Sequence, residues 1–570
     1  MQSRLSGHLR WLLLVAALAL VVAACAPEDD PEEDPDDDVE VDDDPDEDEP
    51  DEDEPDEEED PDEEEDPDDE AEAPDGGEFS MYLCEPERLL SQESSEVCGS
   101  QVLDVLFTGL VAYDPETSEV VEGGMASSIE SDDNVDWTIE IEEGWEFHNG
   151  EEVTADNYVD AWNWMADPEN EMGNASFLAT AGFEGYQEVA DGEADEMAGV
   201  EVVDDYTIEV SLVEPFGPFE LLIGYTGFHP LPDEFYDMEA TEFEEAPIGN
   251  GPYMMDGEWE RGQRIMLERF DDYGGEPANA QAVEMRIYDD VGTAYLDFEA
   301  GELDIHDGVP PESRTQALEE YGDRAFDNEV SSYDYLGFPT FVEPFDDPDL
   351  RKAISLAIDR ESIIDVIFEG ARTPATSALP PILPAHRDGA CDYCEHDPER
   401  AQELYEGTDG IDGTLELYFN SGAGHEEWME SVSLQLEDTL GIDDIEFNSL
   451  EFAEYLELHD AQEVEGPYRL GWVTVYPSPQ YSMELYLEDS PSNYAGYDDP
   501  EFNDLMAEAN ATEPEEADEI YQEAEDILLE DLPIAPLWYG LDTVVHSERV
   551  DNVIANTRTF IEVADVEVVE

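Results

Sequence analysis

From Glu28 to Glu78 the chain consists of Asp, Glu and Pro with a few Val, Ala and Gly, and it contains no base. Such a segment has almost no apolar surface to bury and its like charges repel, so it is expected to stay extended and disordered. It divides the chain into a leader (1–24), an acidic tether (25–78) and a body of about 490 residues. A body of that length exceeds one hydrophobic core and suits two or three domains. No internal repeat is visible in it. A polyacidic calcium sponge is an alternative use for the tether, but no spacing in it resembles a defined calcium loop.

The body beyond residue 80 is acidic as well. The chain carries 159 acidic residues against 18 Lys and Arg, a net charge of −141, and Lys352 is its only lysine. At low salt such a surface repels itself. In molar salt the Debye length falls to ~3 Å and the repulsion is screened. The composition therefore points to a halophilic protein bathed in concentrated salt, and it excludes nucleic acid as a direct partner, because phosphates would be repelled.

The N-terminus reads as an address rather than as part of the fold. Arg4 and Arg10 precede an apolar run, Trp11 to Ala24, shorter than the ~20 residues a spanning helix needs. The run ends Val22-Ala23-Ala24-Cys25, which resembles the lipobox of bacterial lipoproteins. By that resemblance Cys25 becomes the lipidated first residue of the mature protein, tethering the body to the outer face of the cytoplasmic membrane, at the cell surface or in the periplasm. An ordinary secretory signal is the alternative. The remaining four cysteines fall in two local pairs, Cys84 with Cys98 and Cys391 with Cys394. An even count in an exported body favours disulfides, though connectivity cannot be read from sequence. Cys391 and Cys394 with His396 also permit a zinc reading, but a second ligand pair is missing. A redox site there lacks the strand-to-helix context. No metal and no cofactor are expected.

Along the body, a strand is expected at Phe79 to Leu83, then a helix carrying Val102, Val105, Leu106 and Leu110. Residues 135 to 141 alternate like a half-buried strand, and Thr154 suits the N-cap of a helix over Ala155 to Met165. Gly249, Gly251 and Pro252 shape a turn into a strand at Tyr253 to Met255. Leu303 to Ile305 reads as a buried strand. Asp347-Pro348-Asp349 caps a helix whose Leu350, Ile354 and Ala357 form one face, with Arg351 and Lys352 expected to face outward. A second helix runs from Arg360 through Phe368. Finally, Tyr468, Leu470, Trp472 and Thr474 alternate with Arg469, Gly471, Val473 and Val475 in a strand stopped by Pro477 and Pro479. Arg469 within it needs an anionic partner, either a nearby carboxylate or a ligand.

Taken in order, Leu106 to Asp114, Met125 to Ser128, Trp137 to Asp156, Ile248 to Tyr253, Arg269 to Gly275 and Pro344 to Arg360 resemble the successive sequence blocks of the extracellular solute-binding proteins of peptide ABC importers, the oligopeptide- and dipeptide-binding family. The resemblance spans about 79 to 560. It implies an α/β fold: a two-lobed periplasmic-binding-protein-like clamp of type II with an extra domain inserted in the first lobe. Lobe I would comprise 79–112, 228–330 and 540–570, the inserted domain 113–227, and lobe II 331–539. Chain crossings near 331 and 539 would form the hinge.

In that family a peptide lies extended and is held through its main chain, a form of strand addition that tolerates varied side chains. By the resemblance Arg469, Gly471, Trp472, Val473, Val475 and Tyr476 belong to the binding site, with Gly471 and Val473 offering backbone groups. Arg469 matches an arginine able to face a ligand carboxylate. The family's ammonium-binding aspartate is absent: Val475 stands in its place. That opens the alternatives of another carboxylate, a blocked peptide, an oligosaccharide, an opine or a metal chelate. The implied partners are a small solute, an ABC permease with its ATPases and, through the lipid anchor, the membrane; the body is expected to be a monomer. An enzyme is the competing class, but no nucleophile motif, metal-binding histidine pair or phosphate loop stands out. His148, His229, His306, His386, His396, His425, His459 and His546 are scattered.

Overall fold

The structure, a computed structural model, describes residues 76–422, 424–488, 490–512 and 514–569. The leader, Cys25 and all but the last residues of the acidic tether lie outside the described residues. No described helix is long and apolar enough to cross a membrane.

One mixed sheet of eleven strands organises the body. Across it run Ile445–Leu450, Leu415–Asn420, Tyr468–Val473, Ala325–Gly337, Ile534–His546, Ile305–His306, Glu78–Leu83, Ala282–Ile287, Arg264–Arg269 and Tyr253–Met255, and Arg372–Pro374 also pairs with Ile534–His546. Glu78–Leu83 is parallel to Ala282–Ile287, and Leu415–Asn420 to Ile445–Leu450, whereas the central pairs are antiparallel. A separate antiparallel sheet of four strands joins Ala126–Ser131, Asp136–Ile141, Thr207–Ser211 and Val200–Asp204.

Two large cores hold the molecule. The first gathers Phe79, Leu103, Trp137, Trp162, Phe228, Met285 and Val566. The second gathers Tyr335, Leu350, Trp428, Leu470, Leu528 and Trp538. A small third cluster joins Tyr295, Phe298 and Val545. Each fully buried large side chain is worth about 1.5–3 kcal/mol. Buried tryptophans keep their N–H satisfied where they can, and Trp162 Nε1 donates to the Phe228 carbonyl at 3.1 Å.

The 13-residue strands Ala325–Gly337 and Ile534–His546 run from one core into the other. Their ladder breaks midway: Glu329 pairs with Leu541 and Tyr333 with Tyr539, so residues 330–332 face Gly540 alone. A Cβ on Gly540 would sit 2.1 Å from Ser332 Oγ. The irregularity is a bulge of the kind that bends and twists a strand pair.

Several local readings need correction. The helix Val97–Leu106 ends before Leu110, with Phe107 already extended as its C-cap. The strand expected over Leu303 to Ile305 runs instead over Ile305–His306; Asp304 just before it still bonds through its main chain to Ser80 and Ser547, and its carboxylate accepts from Ser80 N–H, Ser547 Oγ and Arg549 Nη1. Arg351 and Lys352 do not face outward. They are 4% and 6% exposed, because the helix Pro348–Ala357 is packed on all sides. Arg351 donates to the carbonyls of Phe345, Asp531 and Leu532, while Lys352 Nζ meets Glu530 at 2.7 Å. Asp347 does cap this helix, accepting from Asp349 N–H at 3.0 Å. The helix after Thr154 runs over Ala155–Ala166, with Asn157 Oδ1 accepting from Thr154 N–H at 2.8 Å.

Cys84 is bonded to Cys98, fastening the end of Glu78–Leu83 to the first turn of Val97–Leu106, and Cys391 is bonded to Cys394.

Candidate functional site

Strand geometry decides what the segment Tyr468–Val473 can offer. Trp472 lies opposite Tyr333 and Gly471 opposite Asp334. Thr474 N–H donates to the Ser331 carbonyl at 2.9 Å, so the main-chain groups of even-numbered residues here point toward Ala325–Gly337. Alternation turns those of Arg469, Gly471 and Val473 to the other side. There Leu415–Asn420 pairs only through Tyr418 with Tyr468. The Arg469 carbonyl is taken by Tyr455 Oη at 2.6 Å. Among the described residues, Gly471 and Val473 thus present main-chain groups along a stretch of strand without a pairing partner, and the Val473 side chain is 45% exposed.

Of the two partners open to Arg469, the structure supplies the internal carboxylate. Its Nη2 lies 2.5 Å from Asp334 Oδ1, and Nη1 donates to Asn420 Oδ1 at 3.3 Å. The other Asp334 oxygen accepts from Trp538 Nε1 at 3.0 Å. Gly471 sits on the same face, where a Cβ would come within 2.7 Å of Asp334 Oδ1 and 3.0 Å of Arg469 Nη2. The glycine therefore makes room for the ion pair as well as exposing its backbone.

Trp472 packs half-buried against both large cores, and its Nε1 meets no acceptor. Tyr476 departs from the expectation of a ligand-facing aromatic. It is 1% exposed, its hydroxyl donates to Gln480 Oε1 at 2.6 Å, and its ring packs near Phe177 and Tyr481. The turn at Pro477 carries it away from the strand face and into the first core.

Val475 borders a cavity of about 270 Å³. One stretch of its wall is Ser331, Ile382, Thr474, Val475 and Pro477; a second, joined to it where Ser331 N–H donates to the Thr557 carbonyl at 2.7 Å, includes Asp104, Thr108, Tyr273, Asn556, Arg558 and Glu562. Arg558 Nη2 pairs with Asp104 Oδ2, and Thr226 Oγ1 donates to the other Asp104 oxygen at 3.0 Å. Glu562 Oε1 accepts from Asn556 Nδ2 at 2.9 Å. His229 stacks on Phe107 with centroids 5.3 Å apart, and burial pulls its pKa down to about 4, so it lines the cavity as a neutral ring. The arrangement joins Thr474 and Val475, just past the strand end, to a charged, hydrogen-bonded cluster around Arg558; Arg469, Gly471, Trp472, Val473 and Tyr476 are not part of the lining. Among the described residues no group of three or more His, Cys, Asp or Glu is placed to hold a metal ion.

Asp104, Asn556, Arg558 and Glu562 were not singled out from the sequence. Carboxylates occur everywhere in this composition, and the one available signal, an arginine among very few bases, does not say which acid it meets.

The family model of bacterial extracellular solute-binding proteins, family 5 Middle, matches residues 120–494. The oligopeptide-binding protein OppA of Bacillus subtilis is 27% identical over 489 residues, covering 82% of this chain and 88% of its own. The murein tripeptide binding protein MppA of Escherichia coli superposes with a TM-score of 0.72 at 22% identity, over 86% of this chain and 98% of that one. OppA of Haemophilus influenzae, in complex with the peptide RPPGFSPFR, gives 0.70 at 23% identity, over 88% and 100%. These likenesses agree with the two-lobed α/β clamp built on the crossing strands. A match through two thirds of the chain, carried by the body that holds this cavity and its open strand, places the protein in the bacterial extracellular solute-binding proteins, family 5.

Proposed function

We propose that the body captures a peptide or peptide-like solute outside the cell and delivers it to an ABC permease driven by cytoplasmic ATPases. The observation that carries this reading is the main chain of Gly471 and Val473, without a pairing partner among the described residues, beside the cavity that Val475 borders. An extended peptide can add to such an edge and be held without regard to its side chains. We assign 79–112, 228–330 and 540–570 to lobe I, 113–227 to an inserted domain and 331–539 to lobe II. The separate cores and the bulged crossing of the two long strands support the boundary between lobe I and lobe II, while the inserted domain shares the first core with lobe I. Closure about the crossing would be stabilised by a ligand that touches both stretches of the cavity wall. In this reading the protein works in concentrated salt, acts as a monomer without catalysis, and is anchored through lipidated Cys25 with the acidic segment as its tether.

Val475 favours one second reading, a non-peptide solute, since an apolar residue stands where an ammonium acceptor would serve a free N-terminus. Thermal-shift screening in molar KCl against peptides, oligosaccharides, opines and metal chelates separates the two. Peptides are expected to raise Tm. A rise with another class alone overturns the peptide reading, and no rise with any of them overturns solute capture.

A further inference from the structure

The second stretch of cavity wall is built around one short segment, 556–562. The Asn556 side chain closes it: Oδ1 accepts from Arg558 N–H at 2.9 Å and Phe560 N–H at 3.1 Å, and Nδ2 donates to Glu562 Oε1 at 2.9 Å. The segment is also fastened to the crossing strand, since Asn328 Nδ2 donates to the Asn556 carbonyl at 2.8 Å and Ser331 N–H to the Thr557 carbonyl at 2.7 Å. Glu562 is therefore oriented before any ligand arrives, with a single donor on Oε1 and, among the described residues, no hydrogen-bond partner on Oε2.

The charges around the cavity leave it with an excess of carboxylate. Arg558 pairs with Asp104 and its charge also acts on Glu562, so one guanidinium is shared between two carboxylates. Asp114, also in the lining, is held by Thr117 N–H at 2.8 Å, Thr117 Oγ1 at 2.9 Å and Glu116 N–H at 3.1 Å, all neutral donors. His229 is neutral. Val475, in the same lining, supplies no charge. A partly buried carboxylate with one neutral donor gains from a further cation, and burial raises the Glu562 pKa, with Arg558 opposing it.

We infer that Glu562, oriented by Asn556, accepts a cationic amine of the ligand, and so provides from the second stretch of the cavity wall the charge that Val475 does not. The ligand class is thereby narrowed to peptide-like solutes with a free primary ammonium. The inference rests on the peptide reading above.

The test uses the full chain in molar KCl, titrated calorimetrically with alanine peptides of three to five residues and with their N-acetylated forms. A charge-assisted hydrogen bond predicts that wild type binds the free amines about 10- to 100-fold more tightly than the acetylated peptides. E562Q, near-isosteric and checked for an unchanged Tm, should bind both forms alike, and V475D added to E562Q should restore the preference. Equal binding of the two forms by wild type overturns the inference while leaving peptide capture intact, and it needs no variant. Retention of the preference by E562Q overturns it too. If wild type binds neither form, the peptide reading fails and takes this inference with it.

Discussion

A methyl group added at Gly471 would lie 2.7 Å from Asp334 Oδ1, inside the pair that Asp334 makes with Arg469. G471A should therefore cost about 1–3 kcal/mol by overpacking, read from urea or thermal unfolding in molar salt. In a D334A background, where the crowding oxygen is gone, the same methyl should cost less; an equal cost would show that the crowding does not act through Asp334. A second residue-scale prediction concerns Glu484. Its Oε2 accepts from Gln480 Nε2 at 2.7 Å, yet burial outweighs that bond and pushes its pKa up to about 7. The folded state then holds a proton that the unfolded state releases near pH 4.5. Stability attributable to this group falls as pH rises from about 4.5 to 7 and stays reduced above. E484Q should raise Tm at pH 8 and change it little at pH 4; a larger gain at the acidic end would contradict the assignment.

Short elements were legible where their punctuation is local. Asp347 before Pro348 marks a helix start, Thr154 with Asn157 marks another, and the Gly249 to Pro252 turn delivers the chain into Tyr253–Met255. The inward use of Arg351 and Lys352 was not legible, because their partners Asp531, Leu532 and Glu530 lie about 180 residues away. The same division holds at the site. Gly471, Val473 and Val475 are visible in one stretch, whereas Arg558 and Asp104 are 454 residues apart. Tyr476 came into the site through the resemblance alone, and the strand ends at Val473, beyond which the chain turns its ring into the core. The disulfide Cys84–Cys98 carries a prediction at this scale. It closes a loop with a sequence separation of 14, tying strand to helix where Glu96 already caps the N–H groups of Cys98 and Gly99. Removing it as C84S/C98S should cost about 3 kcal/mol by loop-closure entropy. Denaturant midpoints at equal m-value would measure this, and an unchanged midpoint would mean that packing alone holds the pair.

At the scale of the whole molecule, a net charge of −141 makes folding depend on screening. Tm should climb as KCl rises from about 0.1 M, where the Debye length is ~10 Å, toward molar concentrations, where it is ~3 Å. A flat profile would remove the halophilic reading. The same salt is needed to test motion, since a body swollen by repulsion cannot report closure. Both long strands pass between the cores, and the wider of two breaks in their ladder lies opposite Gly540; the other, between Asp334 and Tyr335, skips Leu537. At Gly540 a Cβ would meet Ser332 Oγ at 2.1 Å and Val330 Cγ2 at 2.4 Å, so even alanine must splay the crossing. Tyr333 and Tyr539, which pair beside the break, belong to the second core, so part of the strain falls on the edge of that core, while the first core lies farther off. G540A is therefore expected to fold, with a modest loss of Tm, while altering the angle at which the lobes meet. If closure turns on this crossing, small-angle scattering in molar KCl should show wild type contracting on adding a ligand that raises its Tm, and G540A contracting less. Affinity should fall by at least about tenfold, because the ligand would no longer reach both stretches of the cavity wall at once. Equal contraction and equal affinity in the two proteins would make the crossing a passive connection and move the hinge elsewhere.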